Sequence, residues 1–110
     1  MILTQEIASA LAGTNIFDFD FPDVTKQKTL YSVRGMNLTR QNDRVSFIIY
    51  DNVNEAGITI DSGILQPEST AAQGEYMWTG EIVFRARVRV WFPNVTVTDT
   101  LKAQIKVEDP

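Results

Sequence analysis

The chain has 110 residues, 44% of them hydrophobic and 22% charged, which fits one domain able to build a core without crosslinks. It contains no cysteine and no histidine, so disulfide frameworks, thiolate metal sites, Ser-His and Cys-His nucleophilic pairs and standard zinc sites are excluded. The net charge of −4 argues against a general attraction to phosphate backbones or anionic membranes.

At the start, Leu3, Ile7 and Leu11 stand at i, i+4 and i+8 with Ala8 and Ala10 between them, the spacing of an apolar helical stripe. Thr4 suits an N-cap and Gly13 a left-handed C-terminus, so the pattern predicts a short helix over 5–12. Two turns are marginal alone in water, which makes Leu3, Ile7 and Leu11 candidate docking residues of an N-terminal arm spanning 1–14. No basic residue precedes the apolar run, and Gln5 and Glu6 interrupt it. The segment therefore reads as the start of the mature chain rather than a signal peptide. No stretch approaches the roughly 18 apolar residues of a transmembrane helix.

Beyond Gly13 the period changes to two. In "IFDFDF", Phe17, Phe19 and Phe21 share one face and Asp18 and Asp20 the other, with Pro22 as the stop. "TLYSVRGMNL" reads as a strand with a bulge at Gly35, and "TRQND" as a turn. "RVSFIIY" is apolar at both parities, which predicts a strand covered on both faces. After the turn "DNVNEAG", Ile58 and Ile60 alternate on one face, and "QPESTAAQG" is the longest expected loop. The chain then runs from Tyr76 to Phe92, with a break expected at Thr79-Gly80, and its last part, Glu81 to Pro93, reads as one long strand. In "VTVTDTLKAQIKV", Leu101, Ala103, Ile105 and Val107 point inward. Such short strands, spaced about 8 to 14 residues apart, predict an all-β, antiparallel β-sandwich over 15–110, with a single jelly roll among the connectivities it allows.

Within "EIVFRARVRVWFP", Arg85, Arg87 and Arg89 would form a cationic line of about 13 Å on a regular strand. Guanidinium forks suit carboxylate and phosphate, so the line reads either as a partner-facing stripe or as a strand face neutralised by Asp18 and Asp20. Trp91 shares the arginine parity, and Trp beside Arg is a composition common at interface anchors. Tyr76, Trp78 and Trp91 together suggest a second possibility, an aromatic platform for sugar rings. Asp18, Asp20 and Asp23 lack the spacing and turn glycine of a calcium loop, and no metal, cofactor or catalytic residue is implied. Asn37-Leu38-Thr39 and Asn94-Val95-Thr96 match the glycosylation tripeptide, a pattern frequent by chance.

The sequence thus predicts a non-enzymatic structural or assembly protein, a small subunit of a virion or other surface lattice. Its expected partners are other protein subunits in a homo- or hetero-oligomer, without nucleic acid or a membrane span. The alternative is a carbohydrate- or ligand-binding module.

Overall fold

In the computed structural model of the protein, residues 2–9, 15–67, 73–94 and 99–108 are described. Among the described residues nine strands run β1 Ile2–Ser9, β2 Ile16–Asp20, β3 Lys28–Asn37, β4 Arg44–Tyr50, β5 Ile58–Ile64, β6 Gln66–Pro67, β7 Gly74–Phe84, β8 Arg87–Trp91 and β9 Leu101–Glu108. They form two antiparallel sheets, one ordered β1-β9-β3-β7-β6 and the other β2-β8-β4-β5. Among the described residues no helix is long and apolar enough to cross a membrane.

The pairing is nested: β1 lies on β9, β2 on β8, β3 on β7 and β4 on β5. Both sheets turn the apolar parity of their strands toward one shared core, giving a sandwich-like arrangement. Phe17, Phe19, Val45, Phe47, Val88 and Val90 come from one sheet, and Leu30, Val33, Phe84, Ala103 and Ile105 from the other. Edge-to-face ring pairs fill this core: Phe17 meets Phe92 at 5.8 Å along the second sheet, and Phe21, just past β2, meets Phe84 of β7 at 5.2 Å across the layers. Burying each such ring stabilises the fold by about 1.5–3 kcal/mol relative to leaving it exposed.

The expected helix over 5–12 is not formed in its described part, 5–9; residues 10–12 lie outside the described residues. Residues 2–9 are instead an edge strand paired with β9 in continuous register from Ile2↔Glu108 to Ser9↔Leu101. A spacing of four is also two strand repeats, so Leu3 and Ile7 fit either period. The register sets them opposite Val107 and Ala103, both core residues. Leu11 lies outside the described residues.

Nor is the segment from Glu81 to Pro93 one strand. β7 ends at Phe84 in the first sheet, and after Arg85 and Ala86 the chain resumes as β8 in the second. The apolar alternation survives this crossing because Phe84, Ala86, Val88, Val90 and Phe92 all remain buried.

Gly35 carries no bulge. A Cβ there would lie 2.9 Å from Val45 Cγ2 and 3.3 Å from Phe92 Cζ, so the glycine allows the sheets to approach. The bulge of β3 is at Tyr31, where pairing shifts toward β9 and toward Gly80-Glu81 of β7, close to the break expected at Thr79-Gly80. A further shift makes Ile60 an extra residue of β5. As a result Ile60 packs on the core while Ile58 is 64% exposed, and the two do not share a buried face.

Candidate functional site

β8 is an inner strand of the second sheet, with β2 on one side and β4 on the other. The register sets Asp18 opposite Arg89, Asp20 opposite Arg87 and Ile16 opposite Trp91. On the other side Tyr50, Ile48 and Ser46 face Arg87, Arg89 and Trp91. Period two turns all nine of these residues to the outer face.

The arginines are engaged within the chain. Arg89 donates through Nε to Asp18 Oδ1 at 2.7 Å and through Nη2 to Oδ2 at 3.1 Å. Arg87 makes the same fork with Asp20, at 2.5 and 3.3 Å, and its Nε lies 3.5 Å from Asp18. Both guanidinium carbons lie over the Tyr50 ring, at 5.6 Å for Arg87 and 5.1 Å for Arg89. The hydrogen bond to Asp20 raises Arg87 above the ordinary arginine range, and that to Asp18 does the same for Arg89, burial opposing in both. Such cross-strand pairs contribute about 0.2–1 kcal/mol each, with Asp20 at the low end because its side chain is largely exposed.

Arg85 does not join this line. It sits at the crossing between sheets, where Nη1 donates to the Thr25 carbonyl at 3.0 Å. The same corner holds Lys28, only 2% exposed, whose ammonium donates to the carbonyls of Asp23 at 2.6 Å, Lys26 at 3.0 Å and Arg85 at 2.8 Å. All three protons are used, and the 22–27 loop is clipped to the crossing. Asp23 belongs to that loop, accepting from the Thr25 hydroxyl and amide, bonds that hold its carboxyl below the usual range.

What remains on the outer face is apolar at one end, where Trp91 (38% exposed) and Ile16 (41%) stand side by side. Tyr76 and Trp78 do not share this surface. They lie on the other sheet, packed against the core, with the Tyr76 ring 5.8 Å from Phe47 and its hydroxyl donating to Asp61 at 2.9 Å. The three aromatics therefore form no single platform.

A second polar cluster ties the 38–43 loop to the one before β9. Arg40 bonds Asp99 through Nε at 3.1 Å and Nη2 at 2.9 Å; Nη2 also lies 2.9 Å from Asp43 and donates to the Asn94 carbonyl at 2.7 Å. Asn37 Oδ1, fully buried, accepts from the Thr39 and Arg40 amides and lies 2.7 Å from the Thr39 hydroxyl. The Asn37-Leu38-Thr39 tripeptide is therefore an Asx turn with its amide enclosed. Burial pushes the Asp43 carboxyl up, with Arg40 opposing and Asp99 adding to it. Sequence reasoning missed this cluster, because its members are about 60 positions apart. The Asx signature around Asn37 was the one local signal.

No family model matches the chain, and no curated protein matches it in sequence.

Proposed function

We propose that this chain is a non-enzymatic structural subunit, a small building block of a virion or other surface lattice that works through protein–protein contacts. The observation that carries the reading is the strand order. With the two-residue β6 set aside, the eight longer strands numbered along the chain give sheets 1-8-3-6 and 2-7-4-5. That is the order produced when one hairpin of nested pairs is rolled into two layers, the jelly roll, an architecture used in viral capsid and lectin domains. The step from fold to role is analogy, because one fold hosts many functions.

The outer face of the second sheet supports the structural side of that analogy. Its arginine charges are answered by Asp18 and Asp20, and its exposed apolar end, Ile16 with Trp91, suits the desolvated centre of a protein contact. The carbohydrate reading rests on Trp91, the aromatic of the three whose ring reaches this outer face. Native mass spectrometry and light scattering over rising concentration test the proposal. A species heavier than the monomer, growing with concentration, is expected. A monomer at every concentration overturns it.

A further inference from the structure

Among the described residues four strands offer a free lateral edge: β1 and the length of β7 beyond β6 in the first sheet, β2 and β5 in the second. A free edge presents unpaired N–H and C=O groups that recruit further strands unless it is blunted. Three of these edges are blunted. β2 is five residues long and followed by Pro22. β5 is broken by the extra Ile60, and its Asp61 is held by Tyr76. β7 shifts register at Gly80-Glu81, and β6, with Pro67, covers its beginning.

β1 has none of these devices. Its eight residues pair with β9 without a shift, and "ILTQEIAS" contains no Pro, Gly, Lys or Arg. Its one charge, Glu6, lies 3.1 Å from Lys102 and accepts from Gln104. We infer that the outer edge of β1 is a strand-addition surface whose occupant is the β1 strand of a second copy, antiparallel across a two-fold axis. This rests on the assembly reading above and adds to it the surface and the register.

A straight eight-residue ladder requires an equally regular partner, and among the described edges β1 alone meets that requirement. Residues directly opposed in an antiparallel pair share a face, so a two-fold pairing centres on a residue rather than between two. Centring on Glu6 sets two carboxylates face to face, which is destabilising. Centring on Thr4 leaves only Ile2 to Glu6 paired. Centring on Gln5 pairs Ile2 through Ala8, sets Thr4 opposite Glu6 and Leu3 opposite Ile7, and joins two five-stranded sheets into one of ten. Seven paired residues span only about 24 Å, a contact smaller than the roughly 800 Å² per partner of a standard interface. Each joint is therefore reversible alone and effective when repeated through an assembly.

Because the chain has no cysteine, Gln5→Cys introduces a single thiol at the centre of the expected pair. Mild oxidation should link Q5C to itself on the order of tenfold faster than Ser62→Cys on the β5 edge, since paired strands raise the local thiol concentration. T4C mixed with E6C should give the mixed dimer in preference to either self-linked form. Q5K, which opposes two like charges, should weaken association while circular dichroism still reports a β fold. If Q5K proves unfolded, the crosslinking rates decide. An oligomer by native mass spectrometry whose Q5C variant links no faster than S62C overturns this register and leaves the assembly reading standing. A strict monomer overturns both.

Discussion

Replacing Lys28 with Met keeps most of the side-chain stem and removes the ammonium that holds three carbonyls. Hydrogen bonds to a charged donor are worth about 1.5–3 kcal/mol each, but the bonds to Asp23 and Lys26 belong to an exposed loop whose carbonyls regain water when it opens. Relief from burying the ammonium offsets part of the loss as well. The main residual cost is the Arg85 carbonyl at the sheet crossing together with the freed loop, about 2–4 kcal/mol in all. For a domain of this size that lowers Tm by roughly 10 °C, measurable by calorimetry or thermal circular dichroism. Limited trypsin digestion should also show faster cleavage after Lys26, because the 22–27 loop would open locally without global unfolding. A variant within about 3 °C of the parent and no faster in cleavage would refute the reasoning, since the three bonds would then hold nothing that water cannot.

Two further outcomes follow from the packing and the charge cluster. Asp43→Asn should gain stability relative to the parent as pH rises from about 3 to 7. Burial raises the folded-state carboxyl, so the native protein holds its proton longer than the unfolded chain and ionisation favours unfolding, a cost the amide does not carry. A stability difference that is flat or falls with pH would count against this. Gly63→Ala would place a methyl against the Tyr76 ring, itself packed on Phe47, and should cost about 1–3 kcal/mol by chemical denaturation. A neutral result would mean that the ring can shift freely.

Much of the interior was legible because period two is a local property. The inward set Phe17, Phe19, Phe21 and the alternation from Leu101 to Val107 follow directly from it. So did the candidate pairing of Asp18 and Asp20 with the arginines, since charges of matching period can face each other across neighbouring strands. What was illegible depends on partners far along the chain. The residues of β1 read as a helix because four positions suit both periods and alanine favours the helix. The pairing that decided the matter comes from β9, at the other end of the sequence. The crossing at Arg85 and Ala86 left no mark because the apolar parity passes through it unbroken. "RVSFIIY" looked covered on both faces, and at Tyr50 that holds for an unforeseen reason: two arginines lie across the outer side of the ring.

The nested pairing also has a consequence in time. Of the described strands β1 is made first, yet Ile2 meets Glu108 and Ser9 meets Leu101, so its ladder cannot close until β9, the last of them, has been made. Contacts this remote in sequence fold slowly and expose unpaired strands while they wait. Until β9 is made, the least guarded of the described strands therefore waits with both of its edges open.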